Sequence, residues 1–115
     1  MTNQTNDNLP EKSCSIERLV TIEADVEKVL NGEKTATRRN GVYAHPGEIM
    51  VLKYKEFKVD AVYAQTLGEM TDEDAKTEGY TSMEDYKESI LALHPKMPWI
   101  PKMSVWVHEF SPVKK

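Results

Sequence analysis

The chain has 115 residues, with 15 Lys and Arg against 19 Asp and Glu and a formal charge of −4. This is one domain's worth of polypeptide, since a domain takes about 100–150 residues, and the acidic balance excludes a protein that grips duplex nucleic acid through a broad basic face. Leu, Ile, Val and Phe together number 24, just above the roughly one-fifth share below which strongly charged chains stay disordered, so a modest core forms.

The opening residues 1–14 are polar, rich in Asn and Thr, and interrupted by Pro10. They have little to bury and are expected to be a flexible arm ahead of a single domain spanning 15–113. They lack the basic start and apolar stretch of a leader peptide, and no run approaches the ~18 apolar residues of a membrane span, so a cytoplasmic protein with no membrane contact is expected. Cys14 is the single cysteine. It cannot form an internal disulfide, and no Cys/His spacing suits a thiolate zinc site.

Ile16, Leu19, Val20 and Ile22 predict a short strand over 16–22. From Glu23 the period lengthens: Ile22, Val26, Val29 and Leu30 share a helical face, and Gly32 supplies the left-handed cap. Residues 34–39 are short, polar and basic, followed by turn signals at Asn40-Gly41 and His45-Pro46-Gly47, and read as a connection between helix and sheet. Alternation predicts antiparallel strands over 48–54 and 58–66, joined around Lys55-Glu56-Phe57. Thr71 caps a helix with Asp74 at its third position, ended by Gly79, and Ser82 caps another running to Pro95. A proline-framed loop over 97–101 precedes a final strand over 103–110. Four strand-like and three helical runs give an α+β domain, a curled antiparallel sheet or barrel with helices around it.

One stretch stands apart from this acidic background. Gly32-Glu33-Lys34-Thr35-Ala36-Thr37-Arg38-Arg39 places three cations within six positions, while the rest of the chain carries −7. A local positive site in a repelling background favours a small anionic or polar ligand over a long duplex. Threonine beside lysine is one route to an activated nucleophile, and the plainer reading is cations complementing a helix C-terminus. The histidines His45, His94 and His108 are scattered singly and read as structural.

The spacing Gly32-x-Lys34-x-x-Thr37-x-Arg39, after an amphipathic helix and before a turn and strand, resembles the G-x-K-x-x-T-x-R signature of the ASCH domain family, relatives of the PUA RNA-binding domains. The resemblance runs from about Ile16 to Phe110. It implies a small PUA-like β-barrel of mainly antiparallel strands, whose cleft accepts a nucleotide, a nucleoside or single-stranded or modified RNA. The chain is most similar to the small bacterial type that hydrolyses N4-acetylcytidine to cytidine and acetate. By that resemblance Lys34, Thr37 and Glu78 are catalytic, Arg39 is the signature arginine, and neither metal nor cofactor is needed; Arg38 beside the motif, Tyr43 in the turn after it and Trp99 in the proline-framed loop are further candidates for substrate contact, read from their positions alone. Ala36 and Arg38 stand where that group carries β-branched apolar residues.

Such a trio suits acyl transfer. Thr37 Oγ attacks the acyl carbonyl, Lys34 takes its proton, Glu78 orients or protonates the exocyclic amine, and Arg39 or a backbone N–H holds the oxyanion. A water activated by Glu78 or Lys34, with Thr37 as donor, uses the same residues. RNA binding without turnover and ribonuclease action, with Lys34 and Arg39 at the scissile phosphate, are the alternatives. Interleaving of the remaining lysines with carboxylates favours a small substrate over a long RNA footprint. Trp99, in its rigid loop, is the better stacking platform, and Trp106, within a strand, the better core residue.

Overall fold

The computed structural model describes residues 9–96 and 98–113. Its order is helix α1 (Glu23–Leu30), strands β1 (Ala36–Arg39), β2 (Ile49–Leu52) and β3 (Lys55–Thr66), helices α2 (Asp72–Thr77) and α3 (Met83–Leu93), and strand β4 (Ser104–Pro112). The strands form one antiparallel sheet in the order β1-β4-β3-β2, curled into a half-barrel. The α+β expectation holds. Strand β3 supplies the curl, with a register shift between Val59 and Ala61 where it pairs with β4, because an extra residue on one strand bends it and increases its twist.

Local chemistry accounts for the helices. Val26 and Val29 bury one face of α1, and Gly32 at φ +83° lets the chain turn out of it. Thr71 and Asp74 cap α2 reciprocally, each side chain accepting the other's backbone N–H. Gly79 at φ +90° ends that segment where a Cβ would meet the Lys28 side chain at 2.8 Å. Ser82 accepts from Asp85 N–H to open α3.

Three expectations are corrected. Residues 16–22 do not form a strand; Ile16–Arg18 is a single 3-10 turn. Leu19 and Val20 are both buried, and two consecutive inward side chains defeat the period of two that a half-buried strand requires. Conversely, the basic connection contains strand β1, paired along β4 with Thr37 opposite His108 and Arg38 opposite Val107. Its Ala36, Thr37 and Arg38 are all buried, so its polar composition concealed a covered strand. The β2–β3 turn also lies earlier than expected, at Lys53 and Tyr54, whose φ values of 49° and 71° suit the tight two-residue hairpin turn.

The core has three parts. Leu19, Val20, Val26, Val29, Met50, Leu52, Phe57 and Phe110 join α1 to one end of the sheet. Leu67, Met70, Ala75, Tyr86 and Val105 hold α2 and α3 against the other end, and Val42, Ala44, Val59 and Val62 fill the space between turns and sheet. Of the expected arm, residues 1–8 lie outside the described residues. Leu9 packs on the third cluster, Ser13 N–H donates to Val42 O at 2.9 Å, and Lys12 pairs with Glu48. Among the described residues, no helix is long and apolar enough to cross a membrane.

Candidate active site

The start of β1 is tied to the end of α2. Thr35 N–H donates to Thr77 O at 2.7 Å, and Thr35 O accepts from Phe110 N–H at 3.0 Å. These bonds bring Lys34, just before β1, beside Glu78, just after α2. Lys34 Nζ lies 2.5 Å from Glu78 Oε1, and Arg38 Nη1 lies 2.9 Å from the other carboxylate oxygen. Arg38 continues outward, donating from Nε to Gln65 Oε1 at 2.9 Å and pairing with Asp74 at 3.4 Å. Asp74 therefore both caps α2 and helps hold the arginine.

Lys34 and Glu78 are 4% and 3% exposed. A buried ion costs several kcal/mol of desolvation, so it persists only where partners and hydrogen bonds repay that cost, and here each oxygen of one carboxylate has its own cation. Among the described residues five polar or charged side chains are buried: Lys34, Thr37, Arg38, Glu78 and His108. Four of the five, all but His108, line one cavity of about 230 Å³. Costly polar burial concentrated in one concave place makes this cavity the candidate functional site.

Lys34, Thr37, Arg38 and Glu78 are its buried polar lining. Buried Tyr86 adjoins them, and half-buried Asp25, Tyr80 and Ile90 and the more exposed Ile22, Leu93 and His94 line the rest. Tyr86 and Tyr80 meet edge to face with ring centroids 5.4 Å apart, and Tyr80 bonds Ser89 at 2.8 Å. Burial, reinforced by the Glu78 charge, pushes the Tyr86 hydroxyl pKa well up, so it remains a donor. Neither tyrosine belongs to a motif, and the helical period of 83–93 gives no sign of which cavity Tyr86 borders.

Arg39 also lines the cavity, yet its Nε and Nη2 both donate to the Leu19 carbonyl, at 3.0 and 2.5 Å. Tyr43 borders a neighbouring open lobe together with Arg18, Thr21 and Arg39. Trp99 lies apart from both, edge to face with Tyr86 at 6.3 Å and lining a surface hollow with Leu67, Met70 and Lys87. Trp106 packs partly buried on the core. A surface groove of about 680 Å³ between α1, the β2–β3 hairpin and the end of β4 contains none of the buried polar residues. Among the described residues, no group of three or more His, Cys, Asp and Glu gathers as a metal site.

The positive patch of the sequence is thus largely neutralised in space. Lys34 and Arg38 are spent on Glu78 and Asp74, and Asp25 also borders the cavity. A balanced, half-apolar cavity of this kind receives a neutral polar group better than a bare phosphate.

No family model matches the sequence, and no curated protein does. Two solved structures share its architecture. An ASCH domain from Lactobacillus crispatus JV V101 superposes with a TM-score of 0.66 at 14% identity, over 89% of this chain and 77% of that one. A protein from Enterococcus faecalis V583, of the DUF984 family model, gives 0.57 at 17% identity, over 89% and 74%. The half-barrel and its helices thus have the fold of an ASCH domain.

Proposed function

We propose that the protein is an amidohydrolase that deacylates N4-acetylcytidine, or a related N4-acylated cytosine nucleoside, to cytidine and a carboxylate. The observation that carries this reading is the gathering of Lys34, Thr37, Arg38 and Glu78, buried, in the lining of one cavity. At about 230 Å³ it is smaller than the roughly 300–1,000 Å³ of drug-sized pockets, and it suits an acylated base with its ribose at the mouth. The neutralised cations favour this uncharged base over the scissile phosphate that a ribonuclease would hold at Lys34 and Arg39.

Thr37 Oγ attacks the acetyl carbon while its proton passes to the Lys34–Glu78 pair. The C–N4 bond then breaks as the pair returns that proton to N4, and cytidine departs. Water attacks the remaining ester, leaving one proton on the pair and its hydroxyl on the acyl carbon. The ester C–O bond breaks, Thr37 recovers the proton, and acetic acid leaves and gives its own proton to solvent. Arg38 fixes the second carboxylate oxygen throughout, and Lys34 supplies the hydrogen bond to the oxyanion, since two Arg39 donors already serve Leu19. Tyr80 and Tyr86 bound the base. Direct attack by water on the same pair, with Thr37 as donor, differs only in forming no ester on Thr37.

The test is cytidine release from N4-acetylcytidine with chelator present, followed by chromatography, for the wild type and for Lys34→Ala, Thr37→Ala and Glu78→Gln. Each variant is expected to lose at least about 100-fold in kcat/KM. Glutamine is preferred at position 78 because alanine strands two buried cations, a change that costs about 3–5 kcal/mol and confuses lost chemistry with lost fold. No release at stoichiometric enzyme overturns the reading and leaves a cavity that binds without turnover.

A further inference from the structure

The inner cavity opens beside a second lobe of about 400 Å³, lined by Arg18, Thr21, Arg39 and Tyr43. Arg39 belongs to both. The two lobes have opposite electrostatic character. Lys34 and Arg38 in the inner one are answered by carboxylates, whereas no carboxylate lines the outer one. Arg18 is exposed and makes no ion pair among the described residues. The Leu19 carbonyl holds the Arg39 guanidinium through Nε and Nη2, which fixes its orientation, and the Tyr43 ring lies 5.8 Å from it. The Arg18 guanidinium, the Arg39 N–H groups that Leu19 does not take and the Thr21 and Tyr43 hydroxyls, with no carboxylate in the lining and in a chain of net charge −4, make a local anion trap, because guanidinium donors match phosphate oxygens.

We propose that this outer lobe is a phosphate subsite, so that the preferred ligand is a cytosine nucleotide whose base enters the inner cavity and whose phosphate lies between Arg18 and Arg39. The inference rests on the nucleoside reading for what fills the inner cavity, but binding tests it without turnover. The phosphate belongs either to a free mononucleotide or to an RNA strand.

The experiment is calorimetric titration of the wild type, Arg18→Ala and Arg18→Lys with cytidine, cytidine 5′-monophosphate and a trinucleotide with cytidine at its centre. Thermal unfolding of each variant serves as the check on folding. The monophosphate is expected to bind the wild type at least tenfold more tightly than cytidine. In Arg18→Ala that ratio falls to near one, and Arg18→Lys restores part of it. A trinucleotide as tight as the monophosphate or tighter assigns the phosphate to RNA, and a weaker one assigns it to a free nucleotide. Equal affinities for cytidine and its monophosphate, an unchanged ratio in Arg18→Ala, or no measurable binding of the monophosphate each overturns the subsite. Arginine-dependent monophosphate binding without deacylation keeps the subsite and removes the hydrolase; deacylation with no preference for the monophosphate does the reverse.

Discussion

At the scale of single residues, burial decides what a titratable group can do, and His108 is the plainest case. It is wholly buried opposite Thr37 on the β1–β4 ladder. Tyr43 N–H donates to its Nε2 at 3.1 Å, which leaves the ring proton on Nδ1, 3.2 Å from the Trp106 carbonyl. Burial pushes its pKa down to about 4, with the Arg39 charge adding to the shift. The unfolded chain takes up a proton near the ordinary value of 6.5, and the folded protein does not until about 4. Stability from this residue is therefore fully present above about pH 6.5 and is lost as pH falls toward 4, by on the order of a few kcal/mol. Urea midpoints measured between pH 7.5 and 5 should fall in the wild type and fall less steeply in His108→Gln. Of the candidate site residues, Lys34 and Thr37 were nameable from a motif and Glu78 from the family resemblance, but their buried environment was not. The sequence spacing carries no sign that Lys34 and Arg38 share the carboxylate of a residue 44 and 40 positions away.

At the scale of elements, the helix ends are written locally, and one of them sets the site. The Thr71–Asp74 capping pair opens α2, and Glu78 follows at its other end. Thr71→Ala is expected to cost about 1 kcal/mol of stability, the ordinary value of a lost N-cap, measured by chemical denaturation. Such caps and the 3.6-residue period made α1, α2 and α3 legible, because both signals depend on neighbours within a few positions. Strand β1 was not legible, since four residues reading Ala-Thr-Arg-Arg carry no alternation and become a strand only by pairing with β4, about seventy positions on. The 3-10 turn at Ile16–Arg18 failed in the opposite sense: apolar density suggested a strand, while the packing of both Leu19 and Val20 inward required a turn.

At the scale of the molecule, charge is sorted rather than merely summed. A net charge of −4 coexists with a neutralised inner cavity and a cationic outer lobe. Ionic strength should separate the two. Between 50 and 500 mM salt, kcat/KM for the uncharged nucleoside is expected to change less than about twofold, because buried pairs are screened little and a neutral ligand has no charge to steer. A fall of tenfold or more would mean that the nucleoside is not read through the inner cavity alone. The curled sheet makes this sorting possible by holding β1 at its edge, between α1 and the α2–α3 pair.

The sequence by itself determined the α+β class, the three helices of the described residues, the two strands before α2 and the closing strand, because each rests on periodicity or capping within one short window; it misplaced the turn between β2 and β3. Only the tertiary structure decided that the basic motif is a buried strand, that its cations are answered by carboxylates, and that Tyr80 and Tyr86 rather than Trp99 border the cavity. Those outcomes depend on groups distant in sequence meeting where water is excluded, and there the partner, not the residue type, sets what a charge or a ring contributes.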